Sequence, residues 1–187
     1  MKKERVLVVS VVLIVLFGLI MIYSSSYIWA EYKFQDAFHY VKNQAIFAII
    51  GFLLMHLMSK IDYHWYKEKS NMILGIAIIL LILVLIPGIG SVRNGARSWF
   101  GIGPLGIQPS EAAKLALIIF TSKYLENSNK FIKNIKTGVL PILAILFLIF
   151  GLIMLQPDFG TGMIIVVSIL AMMLVAGVNW KFFLCLG

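Results

Sequence analysis

The chain has 187 residues, of which 61% are hydrophobic and only 13% are charged, and its mean hydropathy is +0.98. Soluble domains are on average about 45–50% apolar and about 25% charged, so this composition excludes an ordinary soluble domain and predicts an integral membrane protein. The net charge of +8 does not indicate a nucleic-acid partner, because the basic residues lie in short segments between apolar runs, as membrane topology signals do.

Six apolar runs along the chain predict membrane-spanning helices. They lie at residues 6–23, 44–58, 72–87, 111–124, 138–155 and 160–177. A spanning helix needs about 20 predominantly apolar residues, so the second and fourth runs are long enough only if their polar ends also enter the helix. A seventh span is expected to begin near Trp180. The predicted fold class is therefore all-α, a polytopic helical membrane protein with about six spans, forming a single transmembrane domain over residues 1–187.

The first run has two interpretations. Lys-Lys-Glu-Arg before an apolar core also occurs in cleaved signal peptides. The core is long, however, no Ala-x-Ala cleavage site follows it, and five further runs come after it. A retained signal-anchor helix is therefore the simpler interpretation.

The distribution of basic residues predicts the orientation in the cytoplasmic (inner) cell membrane. If the amino terminus is inside, eleven Lys and Arg residues fall on the inner side: Lys2, Lys3, Arg5, Lys60, Lys67, Lys69, Lys123, Lys130, Lys133, Lys136 and Lys181. Four fall on the outer side: Lys33, Lys42, Arg93 and Arg97. Inner segments of membrane proteins carry the excess of Lys and Arg, so we expect a cytoplasmic amino terminus. Residues 93–108 and the turn at 156–161 then face outward.

A polar, glycine-rich stretch between the third and fourth runs, residues 93–114, reads RNGARSWFGIGPLGIQPSEAAK. Ionisable groups at membrane depth are costly, which favours a functional role for them. Arg93 and Arg97 share a face if this stretch is helical, and the planar guanidinium of arginine suits a phosphate. The alternative is an ordinary loop cation in contact with bulk phospholipid. The glycines and Pro104 that follow predict a tight, irregular loop.

Gln108-Pro109-Ser110-Glu111 predicts the start of the fourth span. Proline is favoured in the first helical turn, and Glu111 meets the positive end of the helix dipole. Lys114 lies within this span, three residues after Glu111 and on the same face. The pair has two interpretations, which the residues alone leave open. It lines a water-filled cavity, or it is a structural ion pair that fixes helix packing.

A second polar segment, LQPDFGTG at residues 155–162, separates the fifth and sixth runs. Pro157 is expected to end the fifth span, and Asp158 is expected to cap the sixth, with Thr161 in its first turn. Capping alone explains an aspartate at this position. The functional alternative is an acidic group at the outer mouth of the same cavity.

Motifs of several enzyme classes are missing from the sequence. It contains no Gly-rich nucleotide loop, no Ser/His/Asp set and no Cys-x-x-Cys pair. Its one cysteine, Cys185, excludes an internal disulfide, and its surroundings predict no metal site. A cytosolic nucleotide enzyme is therefore excluded. What remains is an outward-facing polar pocket in a helical bundle, which suits an amphiphile with an anionic head.

Three segments carry a resemblance to a known family. They are GLIMIYSSS at 18–26, GARSWFGIGPLGIQPSEAAKLALIIF at 95–120 and MLQPDFGTGMIIVVSILAMMLVAGV at 154–178. Together they closely resemble the SEDS family (shape, elongation, division and sporulation), which comprises the FtsW, RodA and SpoVE proteins. The Ser-Trp-Phe-Gly-Ile-Gly that follows Arg97, and the Ala-Gly-Val after the sixth run, look more like the division and sporulation branch than the elongation branch.

The resemblance implies a ten-span bundle that acts as a peptidoglycan glycosyltransferase. Such a protein polymerises lipid II into glycan strands outside the cytoplasmic membrane and releases undecaprenyl pyrophosphate. The resemblance also implies a class B penicillin-binding protein transpeptidase as partner, within the division or elongation machinery, and it allows a divalent cation, Mg²⁺ or Mn²⁺. The residues that match the family's motifs and are expected to line a substrate-binding cavity are Arg93, Arg97, Gln108, Glu111, Lys114 and Asp158.

The family's catalytic residue has no match in this sequence. The proposed catalytic aspartate lies in a large outer loop after the seventh span, whereas this sequence runs to Gly187 and Asp158 belongs to a different, shorter loop. The resemblance therefore predicts an amino-terminal portion of a SEDS protein that is not active by itself, with an unknown catalytic residue. Two alternatives stay open, a lipid II flippase and a non-catalytic membrane scaffold that binds a class B penicillin-binding protein.

Overall fold

The computed structural model describes residues 2–93, 95–101, 106–127 and 135–178. Within these ranges it has six α-helices and one β-hairpin: α1 (Lys2–Phe34), α2 (His39–Met58), α3 (Tyr63–Leu85), β1 (Ser91–Arg93), β2 (Ala96–Trp99), α4 (Pro109–Asn127), α5 (Leu140–Met154) and α6 (Phe159–Val175). The predicted polytopic helical fold is confirmed. The start of a seventh span near Trp180 and the lone Cys185 lie outside the described residues.

The described helices support a multi-pass membrane protein. Four helical segments are long and apolar enough to cross a membrane: Arg5–Phe34, His39–Met58, Tyr63–Leu85 and Thr137–Met154. Of the other two helices, α6 is apolar but has only 17 residues, and α4 has 19 residues, including charged ones. The polar flank predicted to complete the fourth span does enter α4, which begins at Pro109. Each of the six predicted runs therefore overlaps one helix.

The first helix is longer than its apolar run. The run ends at residue 23, whereas α1 continues to Phe34. Residues 24–34 contain no proline or glycine, and the hydroxyls of Ser25 and Ser26 donate back to the carbonyl of Ile22 at 3.2 and 2.6 Å. Serine hydroxyls that bond to the preceding turn are satisfied within a helix. The polar serines therefore end the hydrophobic pattern without ending the helix.

The first of two compact units comprises Met1–Asp62, in which α1 and α2 pack against one another. Asp36 organises the turn between them, since its carboxylate accepts from the backbone N–H of Phe38 at 3.0 Å and from Nζ of Lys42 at 2.8 Å. The hydrogen bond from Lys42 holds the pKa of the Asp36 carboxyl below its usual range. These bonds fix the chain reversal immediately before α2.

The second unit comprises Tyr63–Gly187 and contains the hairpin and α3 to α6. Its core combines aliphatic side chains from all four helices, among them Leu81, Leu117, Ile149 and Ile169. The helices α5 and α6 approach closely at the turn between them. A Cβ on Gly162 would lie only 2.6 Å from Cε of Met154. Small residues permit such close helix contacts in membrane proteins. The single transmembrane domain predicted over residues 1–187 stays a prediction.

Arg93 and Arg97 lie on the two strands of the hairpin and not on a helix. The strands β1 and β2 are antiparallel, with Val92 opposite Arg97 and Arg93 opposite Ala96. Gly95 occupies the turn with a φ of +83°, a conformation that glycine adopts readily. Arg93 and Arg97 would share a face only if the stretch were helical, and that condition is not met. Their strands have three and four residues, which is too short for the sequence to show the alternating pattern of a strand. The irregular loop predicted after them lies partly outside the described residues, at 102–105.

Gly90 allows the hairpin to lie against the end of α3. A Cβ on Gly90 would collide with the carbonyl oxygen of Val84 and would lie 3.0 Å from Cγ of Arg97. Gly90→Ala is therefore expected to displace the hairpin and to lower the free energy of unfolding by about 1–3 kcal/mol, measured by thermal unfolding in detergent. Gly75→Ala is the matched control, because a Cβ there meets nothing within 4 Å. Equal melting temperatures for the two variants would contradict this packing.

Candidate functional site

Three polar segments meet at one end of the second unit: the hairpin, the start of α4 and the turn before α6. Strand β2 contacts both α3 and α4. Nε2 of Gln108, immediately before α4, donates a 2.6 Å hydrogen bond to Oδ2 of Asp158, immediately before α6. These residues are 50 positions apart, so this bond joins the two polar motifs of the sequence. We refer to the five residues Arg97, Gln108, Glu111, Lys114 and Asp158 as the polar cluster.

Backbone hydrogen bonds in the second half of the polar stretch at residues 93–114 position Gln108. Phe100 and Ile107 exchange two backbone hydrogen bonds of 2.8 and 2.9 Å, which close the loop between them. Gln108 follows directly, and its carbonyl accepts from the N–H of Glu111 at 3.1 Å. Pro109 then occupies the first position of α4, where its missing N–H costs nothing. The predicted helix start is therefore confirmed, and it places the Gln108 side chain at the tip of α4.

Asp158 uses both oxygens of its carboxylate. Oδ1 accepts from the backbone N–H of Thr161 at 3.2 Å, which is the helix cap that the sequence predicts for α6. Oδ2 accepts from Gln108. The side chain therefore caps one helix and holds the start of another, while its role in a cavity stays a prediction.

Glu111 and Lys114 form the ion pair that their spacing predicts. Nζ of Lys114 lies 2.7 Å from Oε2 of Glu111, and the two side chains are 21% and 55% exposed, respectively. Ion pairs of this exposed kind contribute only about 0–1 kcal/mol to stability. Helix packing is therefore a weak reason for placing two charges in the first turns of α4, directly before its apolar segment at residues 115–120.

Arg97 is half-buried in β2, and its aliphatic stem lies over Gly90. Its guanidinium has no hydrogen-bond or ion-pair partner within the part of the chain that the structure describes. Of Arg93, the structure describes the backbone, paired with Ala96, but not the side chain. The structure thus joins Gln108 to Asp158 directly and leaves Arg97 as a cation available to an anion.

A family model described as "Cell cycle protein", for FtsW, RodA and SpoVE, matches residues 4–187. The match covers nearly the whole chain and includes both polar motifs. The chain belongs to the FtsW/RodA/SpoVE family. The resemblance carried by the three sequence segments is thereby confirmed.

The curated relatives of this chain include sporulation and division proteins. Stage V sporulation protein E of Bacillus subtilis is 45% identical over 186 residues, which cover 100% of this chain and 51% of the relative. A probable peptidoglycan glycosyltransferase FtsW of Trichlorobacter lovleyi is 34% identical over 186 residues, covering 100% and 49% respectively. The chain therefore spans about half the length of the curated relatives it matches. Their names agree with the predicted division and sporulation branch.

Solved structures of related proteins share the fold. The rod shape determining protein RodA of Thermus thermophilus matches with a TM-score of 0.70 and 29% identity, over 91% of this chain and 55% of that one. A chain in a peptidoglycan synthase complex matches with a TM-score of 0.71 and 29% identity, over 91% and 49% respectively. This chain therefore shares the polytopic helical fold of the two solved structures.

Sequence reasoning missed two buried polar residues beside the polar cluster of this FtsW/RodA/SpoVE chain. Gln156 is fully buried, and its Nε2 donates to the carbonyl of Leu81 in α3 at 3.3 Å. Among the described residues, Oε1 of Gln156 and Oγ of the buried Ser110 have no partner. A signal was present, since Gln-Pro occurs at the start of α4 and again just before α6. Gln156 therefore ties the turn that holds Asp158 to the last turns of α3.

Proposed function

We propose that this protein is a peptidoglycan glycosyltransferase of the SEDS family, which polymerises lipid II in cell division, sporulation or cell-shape maintenance. Family membership supports the proposal, and one relative is itself named a probable peptidoglycan glycosyltransferase. The observation that carries it is the bond between Gln108 and Asp158. It brings the two polar motifs of the family together at one end of the helices.

The polar cluster is proposed to bind the anionic head of lipid II. Arg97 offers a guanidinium without a partner among the described residues, and such a planar group can donate two parallel hydrogen bonds to a phosphate. Lys114 adds an ammonium held in place by Glu111. Preorganised cations of this kind stabilise the charge that develops on a pyrophosphate leaving group. The hydrogen bond between Gln108 and Asp158 holds the two motifs together. Arg93 is proposed to bind the phosphates together with Arg97.

The general base is proposed to come from outside the polar cluster. A general base must have a free lone pair directed at the proton that it takes, whereas both oxygens of Asp158 already accept hydrogen bonds. The carboxylate of Glu111 is engaged by Lys114. This chain's residues are therefore assigned to binding and orientation, in line with the family's catalytic aspartate in a later outer loop.

The divalent cation that the resemblance allows has no ligand set among the described residues. No three His, Cys, Asp or Glu side chains come together there in a way that holds a metal. The two carboxylates of the polar cluster, Glu111 and Asp158, each already accept a hydrogen bond from another side chain. We therefore assign the cation no step.

The proposed setting is the cytoplasmic membrane, with a cytoplasmic amino terminus and the polar cluster on the outer side. The excess of basic residues in the segments opposite the cluster supports this orientation. A class B penicillin-binding protein transpeptidase is the proposed partner, within the division or elongation machinery. In support, one structural relative is a chain of a peptidoglycan synthase complex.

The test is an assay of the purified full-length gene product in detergent with lipid II as the only substrate. Glycan strands formed without a bilayer are expected, because a polymerase needs no second compartment. Translocation of lipid II in vesicles without strand formation in detergent would instead support the flippase. Co-purification of the protein with the transpeptidase, without either activity, would support the scaffold.

A further inference from the structure

A groove lies at the opposite end of α3 and α4 from the polar cluster. It encloses about 380 Å³ and is lined by Tyr63, Tyr66, Lys67, Ile118, Ile119, Ser122, Lys123 and Glu126. The first turns of α3 and the last turns of α4 supply all of these residues. The groove is therefore a feature of one helix pair, remote from the motifs assigned to lipid II.

The groove has one uncompensated positive charge. Nζ of Lys67 lies 2.7 Å from Oε1 of Glu126, so these two charges offset each other. Lys123 is half-buried, and its ammonium has no hydrogen-bond or ion-pair partner in the described ranges. The lining therefore carries a net charge of +1, and its complement is a group with one negative charge.

The groove is polar at its mouth and apolar at its floor. Ile118 and Ile119 precede Lys123 by four to five residues on α4, which places them about 6–7.5 Å from Lys123 towards the amino-terminal end of the helix. Tyr63 and Tyr66, in the first turn of α3, also line the groove, and tyrosine is enriched where a membrane meets water. A cation above an apolar floor matches a molecule with an anionic head and a hydrocarbon tail.

We propose that this groove binds an anionic glycerophospholipid of the bilayer. Its phosphodiester contacts the ammonium of Lys123, and an acyl chain lies over Ile118 and Ile119. A recess beside the groove shares Lys67 and Lys123 and adds His64 and Glu68, so the carboxylates of Glu68 and Glu126 oppose a head with more than one negative charge. The occupant is therefore a monoanionic lipid such as phosphatidylglycerol. Because this end of α3 and α4 is rich in lysine, the lipid belongs to the cytoplasmic leaflet.

The test is native mass spectrometry of the protein in micelles that contain phosphatidylglycerol or phosphatidylcholine with identical acyl chains. Phosphatidylglycerol is expected to be retained, and Lys123→Gln is expected to reduce its retention about five-fold, since one lysine near an anionic surface is worth roughly that factor. Lys69→Gln is the matched control. It removes the same charge from an exposed position on the same end of α3 and is expected to change retention little.

A second variant tests the floor of the groove. Ile119→Thr keeps the charge of Lys123 and is expected to reduce the retention of both lipids by weakening contact with the acyl chain. Circular dichroism of each variant is expected to match the parent protein. Equal loss with Lys69→Gln and Lys123→Gln would overturn the proposal in favour of general attraction to surface lysines. Equal retention of the two lipids by the parent protein would overturn it by showing no selectivity for an anionic head.

Discussion

Replacing Lys114 with alanine is expected to lower the rate of glycan-strand synthesis by the full-length protein about 100-fold, the loss typical of removing one preorganised charge-stabilising group. Lys114 is only 21% exposed and is fixed by Glu111 at 2.7 Å. Its ammonium is thus positioned before the substrate arrives. The measurement is strand formation from lipid II in detergent, resolved by gel electrophoresis at equal protein concentration. Glu111→Ala is expected to act in the same direction, because it releases the ammonium from its fixed position.

Lys42→Ala is the matched control for Lys114. Lys42 also forms an ion pair, with Asp36 at 2.8 Å, but it lies in the first turn of α2 and belongs to neither polar motif. Loss of either pair is expected to change the free energy of unfolding by no more than about 1 kcal/mol. A normal strand yield from Lys114→Ala, or an equal loss from Lys42→Ala, would contradict the assignment of Lys114 to the substrate.

Replacing Asp158 with alanine is expected to lower both stability and activity. The variant loses the cap of α6, worth about 1 kcal/mol, and the charge-assisted bond from Gln108, worth about 1.5–3 kcal/mol. Asp158→Asn retains an oxygen for the N–H of Thr161 but presents an amide N–H₂ to Nε2 of Gln108, so it is expected to keep the cap and to lose the charge-assisted bond. Thermal unfolding and strand synthesis, measured on both variants, separate the cap from the charge.

The bond between Gln108 and Asp158 is testable by a double-mutant cycle. Gln108→Ala and Asp158→Ala are expected to be non-additive in the free energy of unfolding by about 1–2 kcal/mol, because the second substitution removes a bond that the first has already broken. Gln44→Ala replaces Gln108→Ala in the control cycle, since Gln44 is exposed in α2, and that cycle is expected to be additive. Additivity in both cycles would mean that the two motifs are not joined.

Features set by neighbouring residues were predictable from the sequence. The start of α4 at Pro109 follows from the local preference of proline for the first helical turn. The pairing of Glu111 with Lys114 and the capping of Thr161 by Asp158 each span three residues, so helical geometry alone determines them. The apolar runs likewise located the six α-helices of the described residues, because a membrane span needs a long uninterrupted apolar segment.

Features that depend on tertiary packing were not predictable. The bond from Gln108 to Asp158 spans 50 residues, and that from Gln156 to Leu81 spans 75. Nothing local in the sequence chooses these partners. The close approach of Gly90 to Val84 likewise depends on how the hairpin lies on α3. The sequence identified Arg97 as a candidate phosphate-binding residue. Its place on a strand depends on the pairing of β1 with β2, which a short polar sequence does not indicate.

The central claim is that the polar cluster holds the anionic head of lipid II, and photocrosslinking tests it most directly. A lipid II analogue with a diazirine beside the pyrophosphate is irradiated with the full-length protein, and the adducts are mapped by mass spectrometry. We predict adducts at residues 93–114 and 155–162, suppressed by unlabelled lipid II and reduced by Arg97→Ala and Lys114→Ala. Adducts confined to α1, α2 or the groove at the start of α3, with unchanged yield in both variants, would contradict the account.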